Sequence, residues 1–231
     1  MTWLNKDADL QIAAQFKLQF TKKSNFVPWF ITISREYGCD GAGLAQGLVG
    51  GLNEGEKEHP WYVFDRETML KVADPEELNQ EMLELLEEYG HSEFQGYVQE
   101  AIFGKKSQYK VIQNMAKLMQ ILARRGHVIF LGGGSTVLTQ NNPHGIHFRL
   151  YAPEDWRATN HGQRHKLDFD TAHSRVQERE KQRFKYLKTY LAESIDNRYL
   201  YDLIINNAKV GTQQAIELAL ATVKRKFKQK K

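Results

Sequence analysis

An α/β architecture is predicted, with a parallel sheet covered by helices on both faces, and three observations carry it. Short apolar, β-rich runs recur along the chain: WFITI (29–33), WYVFD (61–65), HVIFL (127–131), IHFRLYA (146–152) and YDLIIN (201–206). Stretches of helical periodicity separate them, and strands that alternate with helices form parallel sheets whose ligands lie at the carboxyl ends of the strands. The first run breaks, within FITISREYGCDGAGLA (30–45), into a glycine-bearing turn that leads straight into a helical pattern. Such a strand–turn–helix junction presents backbone N–H groups and a helix N-terminus to a phosphate.

The elements follow in order. Residues 8–20 place Leu10, Ala13, Ala14, Phe16, Leu18 and Phe20 in a loosely amphipathic pattern and are read as an N-terminal accessory helix. The run 29–33 is a buried strand, and Leu44 to Leu52 a glycine-weakened helix facing the turn. A second strand ends at Asp65; the helix over 76–89 then lines up Leu78, Met82, Leu85, Leu86 and Tyr89, which marks a helical insert. A longer helix over 107–125 precedes the strand 127–131, which runs into Gly132, Gly133 and Gly134. Strand 146–152 is capped by Pro153, a charged helix covers roughly 171–192, and a last short strand leads to a closing helix over 213–227.

Composition bounds the function. The 231 residues are 41% hydrophobic and 26% charged with five prolines, which fits one main globular domain. No run reaches the roughly 20 apolar residues of a membrane span, and no basic segment followed by an apolar core opens the chain, so a cytoplasmic protein is expected. The single cysteine, Cys39, has no internal partner for a disulfide, and no Cys and His show zinc spacing. Six positive charges fall in the last eight residues, KRKFKQKK, either a solvated helix end or a contact for a polyanion. Residues 54–100 hold 14 of the 28 acidic groups, so general nucleic-acid binding is disfavoured.

Five segments in order, ITISREYG (31–38), VFDRE (63–67), VIFLGGGSTVL (128–138), RLYAPEDWR (149–157) and YDLIIN (201–206), resemble the cytidylate-kinase-like branch of the P-loop nucleotide kinases. The resemblance covers about residues 29–222. It implies a three-layer α/β/α P-loop kinase-like fold with a helical insert at about 66–106 and a lid at about 157–195, between an accessory segment (1–28) and a basic tail (223–231). It also implies ATP with Mg²⁺ as donor and a nucleoside monophosphate, typically CMP, as acceptor. Ser34, Arg35, Gly38, Cys39, Asp40, Gly41, Ala42 and Gly43 would then form the donor's phosphate loop. Asp65 and Arg66 would serve the acceptor side, and Arg157, Arg179 and Arg183 would neutralise charge on closure. The oligomeric state is not assigned.

The loop departs from its pattern in charge. In G-x-x-x-x-G-K-[ST] a lysine reaches the phosphates and a hydroxyl residue holds Mg²⁺; here Arg35, Asp40, Gly41 and Ala42 stand at the first Gly, second Gly, Lys and Ser/Thr positions. The branch commonly reads S-R-x-Y-G-S-G-G-R, so Ala42 replaces an arginine and Asp40 a glycine, and Gly133 stands where an arginine often follows a glycine. A carboxylate about 4 Å from a phosphate costs on the order of a kcal/mol or more. The backbone of Gly38 to Gly43 and the planar fork of Arg35 remain suited to phosphate. Arg175, Arg179 and Arg183 recur every four residues, either an arginine stripe that closes over phosphates or a solvated face paired with Glu178 and Glu180. Asp65 has three readings: holding an acceptor sugar, orienting Mg²⁺ through water, or capping the next helix. His161 and His165, spaced i and i+4, are read as part of a polar lid loop, Asp202 as a strand-edge carboxylate and Cys39 as a small buried residue. The leading function is a nucleotide-kinase-like phosphotransferase; the alternative is a nucleotide-binding or protein-interaction module that has lost the chemistry.

Overall fold

The computed structural model describes residues 27–56, 58–65, 106–194 and 197–229. The expected helices over 8–20 and 76–89, most of the insert, and Arg66 lie outside the described residues. Strands β1 (Phe30–Arg35), β2 (Tyr62–Asp65), β3 (Val128–Leu131), β4 (Gly145–Tyr151) and β5 (Leu203–Asn206) form a single sheet in the order β2-β3-β1-β4-β5. All four pairings are parallel, with Ile31 opposite both Ile129 and Ile146, and Asp65 opposite Leu131. The helices are α1 (Gly41–Asn53), α2 (Lys106–Arg125), α3 (Ser135–Thr139), α4 (Glu154–His165), α5 (Phe169–Leu191) and α6 (Asn207–Gln229).

Period-two alternation sorts the strand residues to two cores. On one face Ile31, Ile33, Ile129, Leu131, Ile146, Phe148 and Leu150 pack under Leu44, Ala45 and Leu48 of α1 and Ala215, Ala219 and Val223 of α6. Two of the glycines that lower helix propensity in α1 have a packing reason: a Cβ at Gly47 would stand 2.3 Å from Ile216, and one at Gly51 2.6 Å from Leu220. On the other face Phe30, Phe64, Val128 and Phe130 meet Met115, Leu118, Met119 and Leu122 of α2. These two layers bury large apolar side chains at roughly 1.5–3 kcal/mol each, which outweighs the weak propensity of α1.

Several boundaries differ from the pattern reading. β1 runs on to Arg35 because Ser34 and Arg35 still pair with Arg149 and Leu150 of β4. α6 begins at Asn207 rather than 213, with a non-helical Gly211 (φ 75°) that interrupts the period. Residues 154–165, expected as a lid loop around His161 and His165, are helix α4, with Glu154 and Asp155 in its first turn and Arg164 and His165 in its last. That charge order complements the helix dipole and was a usable signal. α4 and α5 pack through small residues, a Cβ at Gly162 meeting Ala172 at 3.4 Å, and α5 then passes over the ends of β1 and β3.

A polar seam runs through the sheet. The buried Thr32 hydroxyl lies 2.8 Å from Thr136 Oγ1 and 2.8 Å from His147 Nδ1, so β1, α3 and β4 share one satisfied network. Asp202 clasps the next strand, accepting from the His147 N–H at 2.8 Å and pairing with Lys226 at 2.5 Å.

Candidate functional site

At the carboxyl end of the sheet, a cavity of about 270 Å³ opens between the last residues of β1, the glycine turn after β3, and α5. Ser34 and Arg35 line its floor, Gly132, Gly133 and Gly134 its wall, and Arg179, Gln182, Arg183 and Tyr186 its roof. The local chain explains the shape. A strand ending in a charged residue projects Arg35 beyond the apolar sheet, and helical spacing brings Arg179, Arg183 and Tyr186 to one side of α5.

Arg35 is threaded between two glycines. A Cβ at Gly132 would stand 2.0 Å from its Nη1, and one at Gly41 3.1 Å from its Cδ. Gly132 also has φ 80°, so glycine suits that turn twice over. Burial first, and the neighbouring Arg183 second, lower the Arg35 pKa, while Asp65 and Glu180 partly offset them. Burial likewise lowers that of Arg183. Arg183 donates through Nη1 to the Arg35 carbonyl and lies 3.8 Å from Glu180. Its Nε and Nη2, though buried, have no hydrogen-bond partner among the described residues. Two unmet donors on a buried guanidinium are destabilising until an anion supplies acceptors, and a phosphate matches that planar fork.

The expected residues therefore divide. Ser34, Arg35, Arg179 and Arg183 converge on the cavity. Arg179, exposed, also donates to Gln182 at 3.2 Å, whereas Arg175 does not line the cavity. Arg157 is 7% exposed and braces the turn, donating to the Ala152 carbonyl at 3.0 Å and the Tyr37 carbonyl at 3.0 Å. Asp65 ends β2 beside β3, and its charge acts on Arg35. Cys39 is buried, and burial first, with Glu36 second, pushes its thiol up to about 12, so it stays protonated and unreactive.

The turn between β1 and α1 is closed by its own chain. The Tyr37 N–H donates to Glu180 at 2.5 Å, Cys39 N to the Glu36 carbonyl at 3.1 Å, Asp40 N to Asn207 at 2.8 Å and Gly41 N to the Cys39 carbonyl at 3.0 Å. Asp40 caps α1, accepting from Gly43 N at 3.1 Å, and pairs with Arg164 at 3.1 Å. Arg164 also bonds the Gly38 carbonyl at 2.6 Å, as does Asn160 at 2.7 Å.

Glu36 of the ITISREYG segment accepts from the Ala152 N–H at 3.1 Å and lies 3.6 Å from Arg149 and 3.4 Å from Arg157. The available signal was Arg149 itself, a cation inside the apolar strand IHFRLY. Glu180, Arg164 and Asn207 carry no local signal of their contacts with the turn. For Mg²⁺, the hydroxyl position of the first helical turn is Ala42 and the nearby Asp40 already caps α1 and pairs with Arg164, so these residues do not fit the ion as they stand. Among the described residues no group of three or more His, Cys, Asp or Glu is placed to hold a metal.

A five-stranded parallel sheet with this strand order, helices on both faces and arginines at its carboxyl end define a nucleotide-kinase-like α/β protein. Residues 30–209 match the cytidylate kinase-like family, and the chain belongs to it. Among solved structures it is similar in fold to an uncharacterized protein from Eubacterium ventriosum, at 17% identity and TM-score 0.63 over 85% of this chain and 98% of that one. Weaker likenesses are TT1252 from Thermus thermophilus (18% identity, TM-score 0.42, 87% of this chain, 98% of that) and dephospho-CoA kinase from Campylobacter jejuni (12%, 0.34, 87% and 98%). No curated protein matches the chain significantly. Among the described residues no helix is long and apolar enough to cross a membrane.

Proposed function

We propose that the cavity binds the phosphate of a nucleoside monophosphate such as CMP, and that the chain is a nucleotide-kinase-like phosphotransferase with ATP as donor. The observation that carries this reading is Arg183, buried with Nε and Nη2 unpartnered among the described residues, beside Arg35 and Arg179. Three guanidiniums at one small cavity suit an anion of charge near −2, and their mutual repulsion is relieved when it enters. Their part in phosphoryl transfer is to orient the acceptor and neutralise developing charge. Mg²⁺ would arrive bound to the donor's phosphates.

A second reading, a nucleotide-binding module without turnover, is favoured by the turn, where the N–H groups of Tyr37, Cys39, Asp40, Gly41 and Gly43 already have partners inside the chain. Thermal-shift titration with CMP and other monophosphates, followed by a coupled ADP-release assay with ATP and Mg²⁺, separates the two. Acceptor-dependent ADP release supports the transferase, and stabilisation without release supports the module. Arg183→Gln is expected to weaken CMP binding at least tenfold, about 1.4 kcal/mol or more. An unchanged affinity would remove the cavity from the reading.

A further inference from the structure

We propose that Glu180 is a positioning residue for the arginine cavity: with Arg183 and Tyr186 it fastens α5 to the carboxyl end of the sheet and so presets the free edge of the Arg183 guanidinium for an oxyanion. The inference deepens the reading of the cavity as a phosphate site and rests on it only for its binding measurement.

Residues 180, 183 and 186 recur every three positions, so they share one side of α5 and span about 9 Å of its length. Each meets a backbone group of a different wall. Glu180 Oε1 accepts the Tyr37 N–H of the turn at 2.5 Å, Arg183 Nη1 donates to the Arg35 carbonyl at the end of β1, and the Tyr186 hydroxyl donates to the Gly133 carbonyl after β3 at 3.3 Å. All three ties run within the chain, between one helix and three points of the scaffold. The middle tie sets the donors. A guanidinium is planar and rigid, and Nε and Nη2 lie along one edge of it, so anchoring Nη1 leaves a parallel pair of donors. Those two atoms are buried and without a partner among the described residues, and Arg183 lines the cavity. An unfastened arginine gives up rotamer freedom when it meets an anion; a fastened one has given it up already.

Glu180 also carries a charge, and that charge alone acts in the opposite direction. It lies 3.8 Å from Arg183 and works against burial in keeping Arg35 and Arg183 charged. A carboxylate beside the cavity repels an incoming phosphate, so its removal, taken as charge alone, tightens anion binding. Loss of the fastening weakens it. The two effects differ in sign.

Isothermal titration of the full chain with CMP separates them. Glu180→Ala removes both the acceptor and the charge, and is expected to bind CMP about tenfold more weakly than the native chain. Glu180→Gln keeps an acceptor for the Tyr37 N–H and is expected to bind at the native affinity or above it. Native or tighter binding by Glu180→Ala overturns the proposal, and so does equal weakening in both variants. Hydrogen exchange over residues 178–190, with no nucleotide added, reads the fastening directly. It is expected to be faster in Glu180→Ala than in the native chain and near native in Glu180→Gln, with α1 and α6 unchanged. Native-like exchange in Glu180→Ala overturns the fastening. If the native chain binds no CMP, the phosphate reading of the cavity fails and the exchange result alone decides the role of Glu180. Should Glu180→Ala not fold, Tyr186→Phe takes its place, because it removes the Gly133 tie and no charge. Weaker CMP binding and faster exchange over 178–190 are then expected, and native values of both overturn the proposal.

Discussion

Arg35 shows how single residues set this site. Its guanidinium reaches the cavity along a path that both Gly41 and Gly132 keep open by lacking side chains. Gly132→Ala puts a Cβ against Nη1 and forces φ 80° on a residue that resists it, so it should lower stability by about 2 kcal/mol. Urea unfolding checks the loss, and CMP titration of the folded variant checks that Arg35 has been displaced. A variant as stable as the native chain, with unchanged CMP affinity, would show that the turn yields easily. Arg35, Gly41 and Gly132 were all visible in the sequence, but that Gly132 meets Arg35 from about a hundred residues away was not.

Helices and strands meet at the turn through Glu36, whose carboxylate joins the end of β1 to Arg149 of β4 and Arg157 of α4. Both guanidiniums are nearly buried, and taking away a shared counter-charge leaves them poorly compensated in a region of low dielectric. Glu36→Ala is therefore expected to cost about 3 kcal/mol by urea unfolding. Glu36→Gln, which retains an acceptor for the Ala152 N–H, should recover part of it. If the two variants prove equally mild, the cluster is a surface-like ion pair and the turn is held by its backbone. The sequence placed Arg157 among the cations that close over phosphates; the folded chain uses its guanidinium to hold the turn. Arg183, four residues beyond Arg179 on the same helix, has unmet donors among the described residues. The family pattern grouped Arg157 with Arg183, and the direction in which α4 and α5 cross the sheet made them different.

For the whole molecule, the buried seam couples stability to pH. Burial pushes His147 down to about 4, with Asp202 opposing and Lys226 adding to the shift, whereas the unfolded chain titrates near 6.5. The native state thus holds His147 neutral while the unfolded state takes up a proton between those values. The stabilisation is fully present above about pH 6.5 and is lost as pH falls toward 4. Between pH 7.5 and 4.5 the loss from this group is expected to be about 2 kcal/mol. Urea unfolding at the two pH values tests it, and His147→Asn, which offers an amide to Thr32, should show a smaller drop than the native chain. An equal drop in both would place the acid sensitivity elsewhere.

By itself the sequence determined the alternation of buried strands and helices, the glycine-bearing junction after the first strand, and the family likeness carried by five ordered segments. Those are local signals, written in periodicities of two and 3.6 and in short runs of neighbouring residues. The tertiary structure decided which charges face the cavity and which are bound up in the scaffold. Asp40 read as an anion beside a phosphate; folded, it is the cap of α1, held by Arg164 and Thr212 from 124 and 172 residues away. Side chains so distant in sequence meet only through the crossing of helices over the sheet, and a charge's effect depends on the partners and burial it finds there.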